Sequence, residues 1–204
     1  MILHITGRGT AFRPADRAEV RLVVSCVKTT CALASEGANG TVKVLGMRLR
    51  ERGFDEKGLK ATSFDISPYY KEVPEHRREQ AGYSCRIALR FALDFTPEAL
   101  SLAVEALSEG AEELSISFSV KDAETVRQEA VRAAWADASL QAQLFAEASG
   151  LTVGEVKEAT LDFNGVRAMN FAGAAALSVR SARMDFTPDD VRTEATLSVQ
   201  FELN

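Results

Sequence analysis

Several stretches of the chain alternate apolar and polar residues with a period of two. In residues 17–28, Ala18, Val20, Leu22, Val24 and Cys26 share one parity, and Arg17, Glu19, Arg21 and Ser25 the other. That is the signature of a half-buried strand. Residues 82–94 repeat it, with Tyr83, Cys85, Ile87, Leu89, Phe91 and Leu93 on one side and Ser84, Arg86, Arg90 and Asp94 on the other. Residues 113–121 (Leu114, Ile116, Phe118, Val120 inward) and 191–203 (Ala195, Leu197, Val199, Phe201, Leu203 inward) are two more such strands. A short strand is predicted at 2–12, and further strands at 59–73 with Phe64 and Ile66 in phase and at 155–163 with Ala159, Leu161 and Phe163 in phase. Pro68 cannot donate to a ladder, so it marks the 59–73 strand as an edge or a bulge.

Helical spacing appears in three places. Leu33, Leu45 and Leu49 predict a helix over 30–52, weakened by Gly37, Gly40 and Gly46 and closed by Gly53. Thr96-Pro97-Glu98 opens a second helix with a capping hydroxyl, a proline in the first turn and an acid at the positive dipole end. Its stripe is Leu100, Val104 and Leu107, and Gly110 ends it. Asp122 caps the third and longest, about 123–149, which is dominated by alanine and stopped by Gly150. Trp135 in that helix reads as a core residue.

The order is β-β-α-β-β-α-β-α-β-β. Residues 17–121 form the split β-α-β-β-α-β unit. We therefore expect an α+β fold, an antiparallel or mixed sheet with helices packed on one face. The long Ala-rich helix and the C-terminal strands extend the sheet or, with the first strand, build a second lobe from 122–204. No low-complexity linker divides the chain, so 1–204 is expected to be one module.

Composition narrows the function. A net charge of -5 over 204 residues gives little attraction to phosphate backbones or anionic lipid, so no nucleic-acid partner is expected. No run approaches the roughly 20 apolar residues of a bilayer span, so no membrane insertion is expected. The N-terminus lacks the pattern of a secretory leader, and the expected compartment is the cytoplasm. Three cysteines, Cys26, Cys31 and Cys85, without a CxxC pair, do not make a disulfide framework. Cys26 and Cys85 read first as small buried hydrophobes and second as a Cys26–Cys85 bridge or a redox-sensing pair, which would make a stress-response protein.

The search for chemistry finds no local motif. His4 and His76 stand alone, without metal-ligand spacing. There is no GxSxG elbow. Gly7-Arg8-Gly9 lacks the third glycine of a phosphate loop and reads as a strand bulge or a close backbone approach. No catalytic residue, metal site or cofactor is expected. The candidate interaction patch joins two basic clusters, Arg48 and Arg52 (with Arg50 between) and Arg77 and Arg78, to Tyr69 and Tyr70. Only one of the two tyrosines can face inward on a strand; the other suits an interface. A non-enzymatic, homo-oligomeric scaffold or interaction module is the first reading. A small-molecule binder with a cleft near the Gly/Ala-rich residues 164–182 is the alternative.

Several strings together resemble one family. They are Ile5-Thr6-Gly7-Arg8-Gly9 with Asp16-Arg17-Ala18-Glu19-Val20, Gly53-Phe54 with Leu59-Lys60-Ala61-Thr62 and Tyr69, and Gly82-Tyr83. The best is Ala130, Ala134, Ala138, Ala142 and Ala146 followed by Gly150-Leu151 and Val153-Gly154-Glu155-Val156; Thr187-Pro188 through Leu203 completes the set. In order and spacing they resemble the SIMPL domain, or DUF541, over nearly the whole chain. The resemblance implies oligomers, since a periplasmic member forms a ring-like assembly. It also implies links to oxidative-stress defence, and an adapter role like that of an animal member that binds a receptor-associated kinase. It carries over no catalytic residue. The chain departs from the family in lacking an export signal, in Pro14-Ala15-Asp16 for Pro-Asp, and in Val153-Gly154 for Leu-Gly.

Overall fold

The computed structural model describes residues 1–74, 77–167, 170–171 and 188–204. The strands are β1 (Ile2–Arg13), β2 (Arg17–Lys28), β3 (Lys60–Val73), β4 (Arg77–Asp94), β5 (Glu113–Ser119), β6 (Val153–Arg167), β7 (Asn170–Phe171) and β8 (Val191–Leu203). The helices are α1 (Cys31–Glu51), α2 (Pro97–Ser108) and α3 (Ala123–Ser149). They form the expected α+β fold, on two sheets. One has the order β1-β8-β6, the other β3-β4-β2-β5-β7. The chain divides into two compact units accordingly.

The five-stranded unit contains β2 to β5 with α1 and α2. Its order β3-β4-β2-β5 is that of a split β-α-β-β-α-β unit. β2 and β4 pair antiparallel, with Val20 opposite Phe91, Leu22 opposite Leu89 and Val24 opposite Ile87. These side chains are buried together with Ala34, Ala38, Leu45 and Leu49 of α1 and Leu100, Val104 and Leu107 of α2. Leu33, expected in the buried stripe, is 48% exposed; Ala34 and Ala38, one and five residues on, take the inward face. The caps form as read. Thr96 accepts from the Ala99 N–H at 3.1 Å. Gly53 has φ +87, and the Phe54 N–H reaches back to the Leu49 carbonyl at 3.0 Å, closing α1 with a left-handed glycine. β3 is an edge strand in this sheet, a position that tolerates Pro68.

The three-stranded unit contains β1, β8, β6 and α3. β8 is central and runs antiparallel to both neighbours, with Ile5 opposite Val199 and Leu197 opposite Leu161. Its inward residues Val191, Thr193, Ala195, Leu197, Val199, Phe201 and Leu203 are all buried. Against them lies α3 through Val126, Ala130, Ala134, Ala138, Ala142 and Ala146. Gly7 and Gly9 are close backbone approaches and not bulges, since β1 keeps an unbroken register with β8. A Cβ on Gly7 would overlap the backbone of Ala134, and one on Gly9 the backbone of Ala130 and Ala134. Asp137 of α3 accepts from the Arg8 N–H of edge strand β1 at 2.8 Å and from Gln141 at 3.0 Å. Those bonds hold its carboxyl below the usual carboxylate range. Trp135 is 42% exposed, not core; its ring leans on Phe201 with centroids 6.3 Å apart. The Ala stripe already fills the contact face, which leaves the indole on the flank.

Candidate functional site

A feature that runs beyond the rest of its sheet is the far end of the β3–β4 hairpin. Pairing of β2 with β4 ends at Lys28 opposite Tyr83. Pairing of β3 with β4 continues past it, from Tyr69 opposite Gly82 to Val73 opposite Arg77. Beyond Gly82 the hairpin is thus a two-stranded arm. Gly82 sits at its base with φ +152, and a Cβ there would strike the Lys28 carbonyl. A glycine is therefore required where the arm leaves the sheet. A bulge separates Tyr69 from Tyr70, so that Tyr70 lies opposite Gln80.

The alternation in the sequence predicts one inward tyrosine. In the structure both are outward: Tyr69 is 41% and Tyr70 52% exposed. No third strand or helix backs the arm among the described residues, so neither face is an inside. Lys71 lies opposite Glu79 and Glu72 opposite Arg78, so the arm carries both signs of charge.

The other members of the expected patch lie elsewhere. Arg48 donates to the Glu109 carbonyl at 2.8 Å and pairs with its carboxylate at 2.7 Å. Arg52 forms a two-pronged bond with Glu105, 2.7 Å in each prong, which raises the guanidinium pKa. Both hold the C-terminal end of α1 to α2. From Cys31, three residues after the Lys28 that packs against Gly82 at the arm's base, Arg48 is about 25 Å along the helix at 1.5 Å per residue. Tyr69, Tyr70 and Arg78 all lie on the arm, and Arg48 and Arg52 are tied down apart from it. The side chain of Arg77, His76, and most of the 164–182 stretch lie outside the described residues.

A cationic row escaped the sequence reading. On the open face of the five-stranded sheet Lys60 lies opposite Arg90, and Arg90 opposite Arg21. Like charges opposite one another destabilise a sheet. Glu19 offsets this by pairing with Arg21 at 2.6 Å and Arg90 at 3.4 Å. Arg21 and Arg90 follow ordinary polar parity, but Lys60 shares the parity of Phe64 and Ile66 and joins the row only through the register shift between Ala61 and Ser63. His4 is exposed on the open face of the other sheet, opposite Gln200. Among the described residues no three His, Cys, Asp or Glu side chains cluster as metal ligands would. Cys26 and Cys85 are brought together, directly opposite one another on β2 and β4. Cys31 is exposed at the start of α1.

Two antiparallel sheets with helices on them, a split β-α-β-β-α-β unit and an exposed β arm define an α+β protein whose distinctive surface is a strand edge. The model of one family, SIMPL, "Protein of unknown function (DUF541)", matches residues 3–201. The chain belongs to the SIMPL family. No curated protein matches it. Among the described residues no helix is long and apolar enough to cross a membrane.

Proposed function

We propose that this SIMPL protein is a non-enzymatic interaction module that assembles with copies of itself through the β3–β4 arm. The single observation that carries the proposal is the arm itself. A two-stranded hairpin without a third strand or a covering helix is marginally stable in water. Here one is built with two exposed tyrosines and a long open edge on β3. An open edge offers unpaired N–H and C=O groups to another strand. Tyrosine is enriched where such contacts bury surface. The mixed charges of Lys71, Glu72, Arg78 and Glu79 let a second copy approach without like-charge repulsion. The same reading keeps the protein in the cytoplasm, where three free thiols are at home.

Light scattering behind size exclusion tests this. The wild-type chain should elute as a multiple of its 22.1 kDa mass. The double variant Tyr69→Ala/Tyr70→Ala should shift toward the single-chain mass with its circular dichroism unchanged. A wild-type chain that stays at single-chain mass at high protein concentration overturns the proposal.

A further inference from the structure

We propose that Cys26 and Cys85 are a peroxide-sensitive dithiol that closes into a disulfide across β2 and β4. The two residues are direct cross-strand partners. Their side chains leave the sheet on the same face, the one that carries Val24 and Ile87. Opposed residues in an antiparallel pair have Cα atoms about 4.5–5.5 Å apart. That lies inside the roughly 4.4–6.8 Å a disulfide spans. The bridge therefore needs rotation of two side chains and no movement of strands.

The surroundings assign the two thiols different parts. Cys26 is half-buried and Cys85 fully buried. Solvent reaches Cys26 first. Its sulfur occupies the space where a side chain of residue 37 would begin, and Gly37 on α1 leaves that space open. Burial, then the neighbouring Cys26 and Asp65, push the Cys85 thiol up, which keeps it protonated until a partner forms. In the first step the Cys26 thiolate attacks one oxygen of a hydroperoxide. The O–O bond breaks, Cys26 becomes a sulfenic acid, and the other oxygen leaves as water or an alcohol after taking a proton. In the second step the Cys85 sulfur attacks the Cys26 sulfur. The S–O bond breaks, and the hydroxide leaves as water with the Cys85 proton. The peroxide is reduced by two electrons and the dithiol oxidised by two. The bridge ties β2 to β4 just inside Lys28 and Tyr83, the last pair before the arm. It thus fixes the base from which the arm projects. The pair is set by the strand register and the burial of the two thiols, and it stands whether or not the arm mediates self-association.

Treatment of the native chain with excess hydrogen peroxide, then denaturation in maleimide and mass spectrometry, tests the pair. Maleimide additions should fall from three per chain to one, on Cys31, with a Cys26–Cys85 cross-linked peptide that a reductant removes. The variant Cys31→Ser should fall from two to none, which keeps the test independent of any variant in the core. In Cys85→Ser, dimedone should label Cys26. If all three thiols stay maleimide-reactive while glutathione in the same tube is fully oxidised, the proposal is wrong. It is equally wrong if the only disulfide joins Cys31 of two chains.

Discussion

Where α3 crosses β1 the contacts are Ala130, Ala134 and Ala138 against Gly7 and Gly9. Where α1 and α2 meet their sheet, Leu45, Leu49, Leu100 and Leu107 face Val20, Leu22, Leu89 and Phe91. Both are helices laid on antiparallel sheets, yet the sources of cohesion differ. In the five-stranded unit each large side chain contributes about 1.5–3 kcal/mol on burial. In the three-stranded unit the inward side chains of β8 are buried as well, but at Gly7 and Gly9 of β1 the helix and strand backbones touch directly. At that crossing many short-range dispersion contacts replace a few large transfer terms. The first arrangement is sensitive to atoms removed, the second to atoms added.

Substitutions at two glycines sharpen that difference, and they have opposite signs. Gly9→Val places a side chain into the backbone of α3, which has no rotamer to move out of the way. The loss should be at least about 3 kcal/mol, read as a lowered urea midpoint. Gly40, inside α1, has nothing within 4 Å of a would-be Cβ. Gly40→Ala should raise stability by about 0.5–1 kcal/mol, because the helix gains propensity and the unfolded chain loses freedom. Equal losses at both positions would break the comparison.

A smaller effect separates the units by pH. Asp122, Asp137 and Glu202 have carboxyls held below their ordinary values, and all three lie in or at the end of elements of the three-stranded unit. The causes are hydrogen bonds from Thr125 to Asp122, from the Arg8 N–H to Asp137 and from Lys157 to Glu202. A depressed folded pKa means the stabilisation is present above the unfolded value, near 4. It is lost as pH falls through the folded value. Because these groups are exposed and screened, the effect is modest. Hydrogen exchange compared at pH 6 and pH 3, after correction for intrinsic rates, should show α3 and β8 losing more protection than β2 and α1. The reverse order would contradict the assignment.

Much of the fold was legible because the signals were local. The Thr96 and Asp122 caps, the Gly53 and Gly150 stops and the alternation of β8 each depend on a few neighbouring residues. The Ala stripe was legible too, and it explains the two glycines of β1 once the helix is placed over them. The arm was not. Arg77-Arg78-Glu79-Gln80-Ala81 has no apolar parity, and we expected β4 to begin at 82; it begins at Arg77. A strand with neither face buried leaves no period to read. Nor was it possible to place Lys60, Arg90 and Arg21 in one row, or to decide between buried hydrophobes and a facing pair for Cys26 and Cys85. Parity gives a face, and only the register gives a partner. The two candidate sites of this protein, an arm and a thiol pair, both depend on what parity leaves out.

The claim on which the functional account turns is that the β3–β4 arm is covered by another copy of the chain. Native-state hydrogen exchange on the amides of residues 69–80, compared between the wild type and Tyr69→Ala/Tyr70→Ala at one concentration, tests it most directly. The account predicts slow exchange along the arm in the wild type and fast exchange in the variant, with the amides of β2 unchanged. Equal, fast exchange along the arm in both proteins would contradict it.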